Sequence, residues 1–99
     1  MPIFFLIYHV LPSTSNLKYQ DVKGAYISAW IESDKIDQAK RIAFRRIEKL
    51  DWVIEAFEEG KEVTKEDYTD NSSGSESFKR ALVDKEAYSI HTYLSEDEE

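Results

Sequence analysis

Residues 24–50 read GAYISAWIESDKIDQAKRIAFRRIEKL, and the spacing of the apolar residues changes inside this stretch. From residue 24 to 32, small aliphatic residues alternate with Tyr26, Ser28 and Trp30, which is the period of two that predicts a β-strand. Over about 34–50 the period becomes that of an amphipathic helix, with Ser33 or Asp34 as its N-cap. The apolar stripe of this helix is formed by Ile36, Ala39, Ala43, Ile47 and Leu50.

The rest of the chain predicts three more strands and a second helix. Residues 3–10 are apolar on both parities, which is typical of a strand covered on both faces. We predict a strand at 52–57, a tight turn at Gly60 and a helical turn that a Thr64–Asp67 capping arrangement begins. The composition of 69–75 predicts a mobile loop. A helix over about 76–86 and a strand over 87–94 complete the predicted elements.

This order of elements predicts an α+β fold. We expect a two-layer sandwich: a four- to five-stranded, mostly antiparallel or mixed sheet with both helices on one face, as a ferredoxin-like variant. Tyr26 and Trp30 would then point away from the helices. We expect residues 1–95 to form a single domain and residues 96–99 to be an acidic, solvated tail.

The composition excludes several kinds of site. The 99 residues include no cysteine, which rules out disulfides, thiolate zinc sites and a cysteine nucleophile. The apolar run at 3–7 is far shorter than the roughly 20 residues of a membrane helix. We therefore expect a cytoplasmic protein that does not associate with a membrane, and we assign it no cofactor or metal.

Negative charge is concentrated in the middle of the chain. The net charge is −7, and residues 51–76 hold nine acidic and only two basic residues, which argues against nucleic-acid binding. Charge runs are usually solvated surface, but part of this one lies in predicted structure, where it could dock a basic protein partner. The candidate partner-binding residues are Glu55, Glu58, Glu59, Glu62, Glu66, Asp67 and Tyr68.

The first predicted helix carries the opposite charge. Its basic residues are Lys40, Arg41, Arg45, Arg46 and Lys49. They form either a solvated helix face or a stripe that binds phosphate or acidic groups.

Aromatic and hydroxyl side chains define a second candidate surface, on the sheet face opposite the helices. Tyrosine, tryptophan and histidine combine an apolar body with a polar tip, as binding surfaces favour. This surface could bind a small ligand. Alternatively, the same side chains fill a core, lie under the loop at 12–23, or form the seam of a homodimer. The candidate residues are His9, Tyr26, Ser28, Trp30, His91 and Tyr93.

No catalytic motif is present in the sequence. His9 and His91 lie in predicted strands without the local signature of a known proton-transfer site, and as a metal pair they lack a defined third ligand. The acidic segment does not have the spacing of an EF-hand loop. With three glycines in the chain, a phosphate-cradling loop is not expected. We therefore assign no catalytic residue.

The segments 51–55, 63–68 and 89–92 resemble small bacterial α+β proteins of uncharacterised function, so the resemblance carries over no active-site residues. We predict a small, acidic, non-enzymatic binding or regulatory protein of the immunity or inhibitor type, which uses its acidic face to bind a basic protein partner. A homodimer is the other predicted protein partnership. The alternative is a small-ligand-binding or catalytic domain that uses the aromatic sheet face.

Overall fold

The computed structural model describes residues 1–68 and 73–94, with the backbone alone at residue 73. Within these residues, four strands and two helices form the fold: β1 Ile3–Pro12, β2 Gly24–Glu32, α1 Ile36–Lys49, β3 Trp52–Val63, α2 Ser73–Asp84 and β4 Glu86–Tyr93. The first part of the predicted loop, 69–72, and the predicted acidic tail, 96–99, lie outside the described residues. Residues 73–75, predicted as loop, are the first turn of α2.

The strands form one antiparallel sheet in the order β3-β1-β2-β4. The hairpin strands β1 and β2 are central, and α1 carries the chain from β2 to the far side of β1, where β3 pairs. This split β-α-β unit is consistent with a ferredoxin-like variant. The predicted α+β class, a four-stranded antiparallel sheet with two helices packed on it, is confirmed.

The larger core lies between the sheet and α1, on what we call the helix-1 face. Even-numbered residues of β1 and odd-numbered residues of β2 point to this face, as the predicted period of two requires. Ala39, Ala43 and Ile47 pack against them from α1, and all three are fully buried. The predicted apolar stripe therefore marks the buried side of α1, except for Leu50, which lies beyond the helix and is 44% exposed.

The second helix packs on the opposite side of the sheet, which we call the helix-2 face. Its Phe78 and Ala81 belong to a separate buried cluster with Ile3, Trp30 and Ala87. The prediction that both helices share one face is therefore wrong. α1 covers one side of the sheet, and α2 covers the other side over the end that contains Ile3 and Trp30. The sequence of β1 explains this arrangement. Its odd-numbered side chains are also largely apolar, and they are buried only where a second element covers them.

The third strand is longer than predicted and passes through Gly60 without a turn. A Cβ added at Gly60 would lie 2.6 Å from the Phe57 ring and 3.0 Å from Leu6, so close packing over the strand, rather than a turn, explains this glycine. The pairing of β1 with β3 shifts register twice, which leaves Glu55 and Glu58 without partners, as in β-bulges.

Of the two predicted helix caps, one is correct and one is wrong. The capping box between Thr64 and Asp67 is present and begins a short 3-10 turn at Lys65–Asp67. The N-cap of α1 is Lys35, and the Ser33 hydroxyl instead donates to the Lys35 carbonyl oxygen, so the predicted cap is wrong by one or two residues. Neither of the two described helices is long and apolar enough to cross a membrane.

Candidate functional site

The part of the helix-2 face that α2 leaves uncovered presents a continuous row of side chains from three strands. In the register of the sheet, His9 of β1 lies opposite Tyr26 of β2, which in turn lies opposite His91 of β4. Tyr93 is two residues beyond His91 on the same face. We call the surface formed by these four residues and the next row, Ile7, Ser28 and Ser89, the open platform. All seven side chains are exposed or only partly buried.

Three of the rings form one stacked group. The His9 ring lies 4.9 Å from the Tyr26 ring and 5.8 Å from the Tyr93 ring, with interplanar angles of 26° and 19°. Nε2 of His9 is 2.5 Å from the Tyr93 hydroxyl oxygen, a short hydrogen bond. Beside this group, the Ser89 hydroxyl is 3.1 Å from Nε2 of His91. The sequence predicted that His9, Tyr26, His91 and Tyr93 lie near one another, and the structure places them side by side.

Gly24 determines how Tyr93 reaches His9. It lies opposite Tyr93 in the register, and a Cβ at residue 24 would be 2.5 Å from the Tyr93 hydroxyl oxygen and 2.8 Å from its ring. The Tyr93 ring therefore lies flat over the strand at the one place without a side chain. This role of Gly24 was not predicted, because its position opposite Tyr93 depends on the register between two strands that are far apart in the chain.

Trp30 lies outside the open platform. It is 5% exposed beneath α2, its ring centroid is 5.0 Å from that of Phe5, and its indole N–H donates to the Tyr68 hydroxyl at 2.9 Å. Burial raises the pKa of Tyr68, although the hydrogen bond from Trp30 opposes this shift. Trp30 thus belongs to the second core, and it marks the boundary where α2 covers the sheet face.

The platform offers two kinds of interaction. Its rings can stack on flat groups, and its imidazole, phenol and hydroxyl groups can donate or accept hydrogen bonds. The two imidazoles cannot readily share one ion, because Tyr26 lies between them in the row. Over residues 1–68 and 73–94, no three His, Asp or Glu side chains are grouped closely enough to hold a metal ion.

The predicted acidic residues do not form one face. Glu59 lies opposite Ile7, on the helix-2 side, whereas Glu62 lies opposite Phe4, on the helix-1 side. Glu55 and Glu58 are at the bulges, and Asp67 accepts the Thr64 N–H at 2.7 Å in the capping box. The Tyr68 ring packs against Phe78, with 5.2 Å between centroids, and so belongs to the contacts of α2. The acidic groups therefore follow an exposed strand edge.

Four of the five basic residues of α1, all except Lys40, line a groove of about 430 Å³ next to β4, together with Gln38 and Ile42. One acidic group, Glu86, lies in the same groove, where it is 3.5 Å from Arg46 and accepts the Tyr88 hydroxyl at 2.7 Å. Burial of Tyr88 and its contact with this carboxylate raise the pKa of the phenol. The groove is thus partly neutralised by the protein's own carboxylate.

An apolar cleft between α1 and β3 was not predicted. It has a volume of about 330 Å³, and its lining includes the half-exposed rings of Phe44 and Phe57. The ammonium group of Lys40 lies 4.3 Å from the centre of the Phe57 ring and partly covers it. Phe57 was predicted only as part of a strand, because its position above α1 depends on the bulges of β3.

Comparison with protein-family models, curated proteins and solved structures gives no match, so the function has to be argued from this geometry.

Proposed function

We propose that this protein is a binding module that holds a partner protein on the open platform. The observation that carries the proposal is the group of His9, Tyr26 and Tyr93, which are stacked, hydrogen-bonded and still reachable from solvent. Rings already held in place lose little side-chain entropy on binding, which makes them effective contact residues.

The geometry supports the platform over the acidic residues for a physical reason. A docking surface needs its contact groups on one side of the molecule, and the platform residues share one face of the sheet. The carboxylates of β3 point to both sides of an edge strand. Charges arranged in this way keep a strand edge soluble, and this role needs no partner.

Site-specific photo-crosslinking in the native host tests the proposal. A benzophenone amino acid replaces Tyr26 in one variant and Phe44 in a matched control, because these rings are 43% and 44% exposed on opposite faces of the sheet. We expect a discrete protein adduct from position 26 and none from position 44. Adducts from both positions, or from neither, would contradict the platform as the binding surface.

A second candidate function is the docking of a basic protein along the β3 edge. It is favoured by one observation: within the described part of the chain, the carboxylates from Glu55 to Glu66 form no ion pair, so they are available to an outside cation. Such a surface would mainly speed the encounter and select the partner.

The acidic edge is tested by charge reversal. The double variant Glu58→Lys, Glu62→Lys should lose the capture of a basic partner, whereas Asp37→Lys, Glu48→Lys makes the same change of net charge on α1 and should retain it. Equal capture by the two double variants would reject the β3 edge as the docking site.

A further inference from the structure

The two edges of the sheet differ in how well they are protected against pairing with another strand. An unpaired strand edge exposes a row of N–H and C=O groups that can bind a further strand, and proteins block such edges with charges, prolines and bulges. The β3 edge has two bulges and five charged residues in twelve. This edge is blocked in the usual way.

The β4 edge lacks these features from residue 87 onward. Its pairing with β2 runs from Glu86 to Tyr93 without a register shift. Between residues 87 and 93 the sequence AYSIHTY has no Asp, Glu, Lys, Arg or Pro, and it is rich in β-branched and aromatic residues. A regular and nearly uncharged edge of this kind is suited to strand addition.

Two hydrogen bonds show which amides of β4 face outward. The carbonyl oxygen of Lys85 accepts from Glu32 and that of Tyr93 accepts from Lys23, so both odd-numbered residues point their backbone groups at the β2 side. Backbone groups alternate in direction along a strand. The N–H and C=O groups of Tyr88, Ile90 and Thr92 therefore face away from the sheet.

We infer that β4 pairs with β4 of a second copy of this chain, antiparallel and about a two-fold axis near Ile90, to give a continuous eight-stranded sheet. Three outward residues in each copy would form about six hydrogen bonds across the axis. With the axis near Ile90, each side chain at 87–93 would lie opposite another residue of the same segment in the second copy, so no Asp, Glu, Lys or Arg side chains are brought together.

A second copy fits this edge better than the other strand pairings open to the chain. Pairing of β4 with the β3 edge of another molecule would meet the two bulges, which interrupt the ladder, and would leave free edges that continue into a filament. Pairing of β4 with itself uses two regular ladders and closes after two chains. It would also place the two open platforms side by side on one face of the extended sheet, because His91 and Ser89 belong to both the platform and β4.

The test is the oligomeric state of the full chain over a dilution series, by sedimentation velocity. We expect the wild type to have twice the mass of one chain at high concentration. Thr92→Pro removes one outward N–H without touching a bond to β2, and edge strands tolerate proline there; we expect it to be monomeric. Thr92→Ala, which keeps the N–H, should remain a dimer, and Thr92→Lys, which adds charge to the edge, should be monomeric.

Amide hydrogen exchange locates the interface. The N–H groups of Tyr88, Ile90 and Thr92 should become protected as the concentration rises, whereas those of Ser89 and His91, which face β2, should be protected at every concentration. A wild type that is monomeric throughout would overturn the inference, and so would a dimer that survives Thr92→Lys. If Thr92→Pro does not fold, Thr92→Lys and the exchange pattern decide. The outcome is independent of the proposed binding function, since it does not involve the Tyr26 ring.

Discussion

Replacing Trp30 tests the boundary between the second core and the open platform. Trp30 and Tyr26 are aromatic residues on the same strand and the same face, four residues apart, yet Trp30 is 5% exposed and Tyr26 is 43% exposed. If α2 covers the first and not the second, truncating each to alanine must have very different effects on stability. The two variants therefore test whether α2 covers the sheet at Trp30 and leaves it open at Tyr26.

The magnitudes follow from burial. Truncating a buried aromatic residue costs about 3–5 kcal/mol, from lost apolar contacts and the cavity that remains. Trp30→Ala also removes the donor to the Tyr68 hydroxyl, 2.9 Å away in the structure, which is worth about 1 kcal/mol. Tyr26→Ala removes a half-exposed ring and should cost about 1 kcal/mol or less. The expected difference is several kcal/mol, a large part of the roughly 5–15 kcal/mol that holds a domain of this size folded.

Urea unfolding followed by far-UV circular dichroism measures these free energies of unfolding, because the signal does not depend on the tryptophan that is removed. Trp30→Phe is the intermediate control: it keeps most of the ring and loses the N–H, so it should lie between the two alanine variants. If Trp30→Ala and Tyr26→Ala had equal free energies of unfolding, the placement of α2 over Trp30 would be refuted.

Three further predictions concern single residues. Lys85 directly follows α2 and has a φ of 73°, a left-handed conformation that favours glycine. Lys85→Gly should therefore raise the free energy of unfolding by about 0.5–1 kcal/mol in the same urea assay, and a loss of stability would contradict this account. Burial raises the pKa of Tyr8 to about 12, so the folded state holds the phenolic proton more tightly than the unfolded state. The wild type should therefore lose stability as the pH rises from 10 to 12, and Tyr8→Phe should lack this part of the pH dependence, as paired urea titrations would show. Gly24→Ala should displace the Tyr93 ring and break its hydrogen bond to His9, which an unchanged nitrogen chemical shift of the His9 ring would disprove.

Local patterns predicted the elements well where one physical requirement dominated. The alternation over 24–32 and the stripe on α1 were sufficient because each element buries a single face or stripe in the larger core. The Thr64–Asp67 capping box was recognisable because it is formed within four residues.

The layer arrangement depended on contacts between distant residues. Trp30 was predicted to lie on an open surface because both helices were expected on the other face of the sheet, whereas its burial comes from Phe78 and Ala81, about fifty residues later. The extent of β3 was missed for a similar reason: Gly60 is typical of a turn in sequence, and only the packing of Leu6 and Phe57 above it explains a glycine within a strand. His9 and Tyr93 are eighty-four residues apart, so their hydrogen bond required the sheet order.

The separation of the two cores has a consequence for how the protein forms during synthesis. Every buried side chain of the larger core lies between Phe4 and Trp52, whereas the second core needs Phe78, Ala81 and Ala87. A nascent chain can thus close one side of its sheet while the other side still exposes Ile3 and Trp30. Until α2 has been synthesised and packs on the sheet, these two side chains are exposed apolar groups of the kind that a chaperone recognises.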